Sequence, residues 1–136
     1  MAEKIDHLIV RRFVRLYSWW FDDSLYSGKT IKDLLGYPPQ PKFIREDKRP
    51  GDDDLAWHYG RVRYFYDELQ EGKRLKPLMV DNVCHGHHIS NEPVLVDGHH
   101  RLAAHWFARR RTFPAFYSGR VDLLEYLTGQ RRMRPA

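Results

Sequence analysis

A single cysteine, Cys84, leaves this chain without an internal disulfide, and such sparing use fits a reducing compartment. No stretch approaches the roughly 18 consecutive apolar residues of a membrane-spanning helix. The opening run MAEKIDHLIVRRF has neither the unbroken apolar segment nor the small-residue cleavage site of a secretory signal. A cytoplasmic protein that does not associate with membranes is the expectation. No internal repeat is visible, and 136 residues with 42% apolar content suit one domain with one core. Within it we expect an N-terminal extension over 1–50, a core over 51–129 and a basic tail over 130–136.

Acidic residues are scarce at the C-terminal end. Between His99 and Ala136 eight arginines face only Asp122 and Glu125, so this segment carries more than the whole net charge of +5. A field of that sign favours nucleotides or nucleic acid, although a merely solvated basic surface is the plainer reading. What the chain has in abundance is aromatic residues: 4 Trp, 8 Tyr and 7 Phe.

Hydrophobic spacing predicts a helix over Ile5–Phe21, with a strand through Leu8–Val10 as the competing reading. A short helix or turn over Thr30–Leu35 leads into Pro38-Pro39-Gln40-Pro41, where three prolines favour an extended connector. Phe43-Ile44 reads as a short strand and EDKRPGDDD as a charged loop. Leu55–Glu71 reads as a helix despite Gly60, with Asp52 to Asp54 at its start and Gly72 as its stop. Leu75–Val80 is a strand, CHGHHISNE a turn or irregular segment, and Val94–Val96 a second strand. A helix from Arg101 to Arg111, a strand over Phe113–Tyr117 and a helix over Val121–Leu127 closed by Gly129 follow. QRRMRPA reads as a frayed tail. This order implies an α+β or α/β arrangement around a small sheet.

The chemistry concentrates at Asp97-Gly98-His99-His100-Arg101, between the second strand and the next helix. Gly98 permits a backbone turn closed to other residues and a close approach to a ligand. Backbone amides at the helix start suit a phosphate, and Arg101 offers a planar fork of donors. Asp97 would hold Mg²⁺, orient a histidine or cap the helix. His99 and His100 are candidates for substrate contact or acid–base catalysis, one of them being structural in the alternative reading. Cys84, His85, His87 and His88 invite a metal reading, but their spacing is not that of a zinc knuckle. Arg109, Arg110 and Arg111 lie about 12–15 Å along the helix from the turn, which suits nucleic-acid backbone contact better than the same phosphate.

The stretches ELQEGKRLKPLMV (68–80) and PVLVDGHHRLAAHWFARRRTFPAFY (93–117) resemble a ParB/sulfiredoxin-type domain, also called the ParB-like nuclease fold. In that family a helix leads through glycine to a strand, and a second strand ends in a short polar box before a helix and a proline-bearing strand. DGHHR resembles the box of ParB-like and free-serine-kinase-like members. The resemblance implies an α+β fold, a small mixed sheet flanked by helices, with a nucleotide at the box. It makes Gly98, His99, His100 and Arg101 phosphate-binding and Asp97 a Mg²⁺ ligand. The sulfiredoxin cysteine is replaced by His99, and with about 35 residues after the box the chromosome-partitioning role, which asks for a helix-turn-helix domain, is not expected. A free-serine-kinase role asks for a catalytic glutamate, with Glu46 and Glu68 as candidates.

The leading expectation is therefore a Mg²⁺-dependent enzyme that binds a nucleoside triphosphate, ATP or CTP, and transfers or hydrolyses a phosphoryl group. Asp97, His99 and His100 would be its catalytic residues, and Asp52–Asp54 a further source of carboxylate. A metal-dependent DNA nuclease is the alternative, with Arg109 to Arg111 on the backbone. The third is a non-catalytic regulatory protein that binds nucleotide, DNA or a protein partner, which exposed Trp19, Trp20, Tyr64 and Tyr66 would favour.

Overall fold

A computed structural model describes residues 2–17, 26, 28–42, 54–84 and 88–136. Among them the elements run β1 (Glu3–Ile9), α1 (Val10–Leu16), α2 (Ile31–Leu35), α3 (Asp54–Gln70), β2 (Leu78–Cys84), β3 (His88–Asp97), α4 (His99–Phe107), β4 (Thr112–Tyr117) and α5 (Val121–Leu127). The strands form one sheet in the order β1-β4-β2-β3. β4 runs parallel to β2, while the β1–β4 and β2–β3 pairs are antiparallel. The expected α+β class, a small mixed sheet flanked by helices, is what the chain adopts. None of the described helices is long and apolar enough to cross a membrane.

Alternation along the strands decides which face is covered. In β4, Phe113, Ala115 and Tyr117 are buried while Phe116 is exposed. In β2, Leu78 and Val80 are buried while Met79 is exposed, and in β3, Leu95 is buried while Val96 is exposed. The inward set meets Phe13 and Val14 of α1, Leu102 and Ala103 of α4, and Leu123 and Leu127 of α5 in one core. Phe13 and Phe113 meet edge to face at 5.3 Å. Each such fully buried side chain stabilises the fold by about 1.5–3 kcal/mol.

The N-terminal helix expected over Ile5–Phe21 is instead strand β1 followed by the short α1. The competing strand reading at Leu8–Val10 caught its end. Pairing decides the matter: Glu3 to Ile5 lie opposite Tyr117 to Ala115, and Leu8 and Ile9 opposite Phe113 and Thr112, with a bulge between. The helical spacing survives one step later, in Val10, Phe13 and Val14, all buried. The CHGHHISNE segment is also more regular than expected. β2 runs on to Cys84 and β3 starts at His88, with Val83 opposite Ile89 and Cys84 opposite His88. β2 itself starts at Leu78, not Leu75.

The expected helices at 30–35 and 55–71 are present, and Gly72 ends the latter with a left-handed turn (φ 82°). The proline connector crosses α3 at Gly60. The Gln40 amide donates to the Gly60 carbonyl at 2.8 Å, and a Cβ at Gly60 would come within 2.9 Å of both Gln40 Cβ and the Pro38 carbonyl. Arg61 is buried and donates to the Gln40 and Pro41 carbonyls at 3.1 and 2.8 Å. Arg63 donates to the Leu35 and Tyr37 carbonyls, both at 3.1 Å. Two helix arginines thus supply the donors that a proline-rich connector lacks for its carbonyls.

A second polar knot lies in the core. The carboxamide oxygen of buried Asn82 accepts from the Tyr117 hydroxyl and the Arg120 amide, both at 2.7 Å. Burial pushes the Tyr117 hydroxyl up to about 12, so it remains a donor. The basic tail is not frayed as expected. The Arg131 amide donates to the Glu125 carbonyl, Arg12 donates to the Arg131 carbonyl, and Arg120 donates to the Ala136 carbonyl. The expected strand at Phe43-Ile44, the charged loop up to Asp53, and Trp19, Trp20 and Phe21 lie outside the described residues.

Candidate functional site

The DGHHR box falls at the β3–α4 junction. Gly98 is the N-cap of α4, with φ 108°, a left-handed conformation that penalises any side chain. A Cβ there would meet Leu78 Cγ at 2.6 Å, so the glycine is also required by packing against the start of β2. Its expected service was close approach to a ligand; the close approach described is to the protein itself.

Asp97 does not cap the helix, since no side chain caps α4. Its exposed carboxylate pairs with Arg101 at 3.2 Å, one helical turn on. The expected phosphate fork of Arg101 is otherwise engaged. Its other terminal nitrogen donates to the Lys76 and Pro77 carbonyls, both at 2.9 Å, and its side chain is only 12% exposed. The guanidinium fastens the entry to β2 onto α4, and the one donor it gives the turn goes to Asp97. The Arg101 carbonyl in turn accepts from His105 Nδ1–H at 2.8 Å.

The two histidines diverge, as adjacent residues at the start of a helix must. His99 Nε2 meets the Tyr17 hydroxyl at 2.9 Å, just beyond α1. His100 Nε2 meets His58 Nδ1 of α3, also at 2.9 Å, with Trp57 edge-on to its ring at 5.2 Å. Desolvation by burial, reinforced by His58, Arg61 and His99, pushes the His100 imidazole down to about 3. His100 is therefore neutral near neutral pH, and its ring cannot offer a cation to phosphate there. One turn of helix thus gathers Tyr17, His58, Trp57, His99 and His100 from three helical regions.

Tyr17, His58 and Trp57 escaped the sequence reading. They lie 82, 42 and 43 positions from their partners and follow no recognisable spacing. Of the two glutamates considered, Glu46 lies outside the described residues. Glu68 bonds the Tyr64 hydroxyl, whose pKa it raises. It sits ten positions from His58, about 15 Å along α3. His85 and His87 lie outside the described residues, as do Asp52 and Asp53. Among the described residues no group of three His, Cys, Asp or Glu is placed to hold a metal ion.

Arg109, Arg110 and Arg111 do not continue α4. The helix ends at Phe107, and Arg109 takes the left-handed conformation (φ 55°) usually given to glycine. The Arg109 amide donates to the Trp106 carbonyl and the Arg110 amide to the His105 carbonyl, both at 3.0 Å, the paired bonds of a Schellman stop. Arg110 then reaches the Leu69 carbonyl at 2.7 Å, at the far end of α4 from DGHHR. Neither a family model, nor a curated protein, nor a solved structure matches the chain.

Proposed function

We propose that the chain binds a nucleoside triphosphate, ATP or CTP, at the N-terminal end of α4 and transfers or hydrolyses its terminal phosphoryl group. The observation that carries this reading is the His99–Tyr17 hydrogen bond at the start of a helix that no side chain caps. The partial positive charge of such a terminus attracts phosphate, and an oriented imidazole beside it suits proton transfer. The ParB/sulfiredoxin-like resemblance supports it too, since its polar box coincides with this strand-to-helix turn.

In this reading a water or an acceptor hydroxyl attacks the terminal phosphorus while its proton passes to His99. The bond to the bridging oxygen breaks and the nucleoside diphosphate leaves. Tyr17 holds the His99 ring in place. His100, neutral and bonded to His58, positions the turn rather than moving a proton. Mg²⁺ carried on the phosphates would neutralise their charge. Such an ion needs only one or two protein carboxylates, and Asp97, 64% exposed at the rim of the turn, fits that place.

The test is phosphate release from ATP and CTP with Mg²⁺, alongside calorimetric titration of each nucleotide. His99→Ala should lower turnover by about 10²–10⁴-fold while leaving nucleotide affinity within a few fold. Tyr17→Phe should lower it less. A protein that neither binds nor cleaves either nucleotide would remove the proposal.

A further inference from the structure

The helices cover one face of the sheet, and the other carries a charge pattern unrelated to the DGHHR turn. Where that open face meets the loop after α3 lies a groove of about 710 Å³. Lys4, Lys73, Arg74, Arg110 and Arg111 line it, with Asp6 as the carboxylate of the lining. Lys4 pairs with Asp6 at 3.8 Å, Lys73 pairs with Glu71 at 3.0 Å and Arg110 holds the Leu69 carbonyl, while Arg74 and Arg111 make no such bond among the described residues. These cations come from three separate places: β1, the loop that follows α3, and the link from α4 to β4. They converge only through the fold.

Pro114 of β4 also lines the groove. Two residues on, along the same face, stands Phe116, 38% exposed on an inner strand of the sheet. Its register neighbours are Lys4 on one side and Met79, 45% exposed, on the other. The basic groove therefore adjoins, through Lys4 and Pro114, an exposed aromatic ring and a thioether on the same face of the sheet.

We propose that this face binds a single strand of nucleic acid, its phosphodiester backbone in the groove and its bases on Phe116 and Met79. The pairing of a cationic track with an exposed aromatic is the physical requirement of sequence-tolerant single-strand binding. Arginine forks suit phosphate oxygens, and a base has the planar surface that an exposed ring and a thioether can cover. An acidic peptide would match the charge but has no use for the ring. Nothing in this proposal depends on nucleotide turnover at α4.

The test measures fluorescence anisotropy of labelled oligo-dT and oligo-U, with the matching duplexes and poly-glutamate as competitors, from 50 to 300 mM salt. Single strands should bind more tightly than duplexes. Log affinity should fall with log salt at a slope of up to about −2.8, roughly −0.7 for each of four phosphate contacts, Arg110 being held by the Leu69 carbonyl. The double variant Arg74→Gln/Arg111→Gln should reduce that slope by about 1.4 and weaken binding at least tenfold at 100 mM salt. Phe116→Ala should weaken binding about fivefold or more while leaving the slope unchanged. Thermal melts confirm that each variant is folded, and Phe116→Tyr, which keeps the ring, should retain binding. Absence of oligonucleotide binding at 50 mM salt would overturn the proposal. So would equal displacement by poly-glutamate, which marks an acidic-peptide site, or an undiminished slope in the double variant.

Discussion

The two ends of α4 treat positive charge in opposite ways. At its N-terminal end Arg101 is turned inward onto the Lys76 and Pro77 carbonyls and onto Asp97, and His100 is held neutral by burial. Past its C-terminal end Arg111 is exposed and, with Arg74 across the groove, makes no side-chain hydrogen bond or ion pair among the described residues. Sequence alone gives these arginines equal standing. The fold divides them into cations that hold the backbone together and cations without a side-chain hydrogen bond or ion pair among the described residues.

The largest effect should come from the turn that makes the inward arrangement possible. In Gly98→Ala a Cβ would come within 2.6 Å of Leu78 Cγ while the backbone keeps φ 108°. Left-handed strain and overpacking together should cost about 3 kcal/mol, read as a lower urea midpoint at unchanged slope. A cost below about 1 kcal/mol would mean that the turn relaxes freely and is no fixed frame for His99.

Arg101→Gln comes next. Loss of charge-assisted bonds to two backbone carbonyls should destabilise the chain by about 2 kcal/mol in the same urea titration. If its cost were near zero, Arg101 would belong with the outward arginines, and its expected phosphate role would regain force.

His100 provides a comparison in pH. Its imidazole ordinarily takes a proton near 6.5 but is pushed down to about 3 in the folded chain, by burial first and then by His58, Arg61 and His99. Between those values the unfolded chain binds the extra proton, so stability is full above about 6.5 and is lost as pH falls. The slope should approach about 1.4 kcal/mol per pH unit below pH 6, a loss of about 1.6 kcal/mol between pH 6.5 and 5. His100→Gln should flatten that part of the urea-midpoint profile. An unchanged profile in the variant would place the acid sensitivity elsewhere.

What the sequence revealed, and what it hid, follows the same division. Elements set by local chemistry were legible: the 55–71 helix with its Gly72 stop, the strand–DGHHR–helix junction, and α5. Elements set by distant pairing were not. β1 reads as a helix because its partner, β4, lies more than 100 residues away, and only that pairing makes Glu3–Ile9 extended. The end of α4 was hidden for a different reason, because an arginine occupies the left-handed stop where a glycine would have announced it. At the site itself the box was visible, but Tyr17 and His58, which decide what each histidine does, reach it only through the fold. The groove was half visible, as an arginine excess without the residues of β1 and of the loop after α3 that complete it.

The smallest expected stability effect is also the sharpest probe of the contrast. Arg111→Gln and Arg74→Gln each remove a charge of the same type as Arg101→Gln, yet neither leaves a described backbone carbonyl without its donor. Their cost should stay within about 0.5 kcal/mol, the usual range for exposed substitutions. A slight gain is reasonable, because removing one of several neighbouring cations relieves mutual repulsion. That repulsion is screened over about 10 Å at 0.1 M salt, so any gain should shrink as salt rises. Melting at 20 and 300 mM salt would show it, with the wild type gaining more from added salt than either variant. If the variants lost 2 kcal/mol instead, the groove arginines would be structural like Arg101, and the two ends of α4 would differ only in exposure.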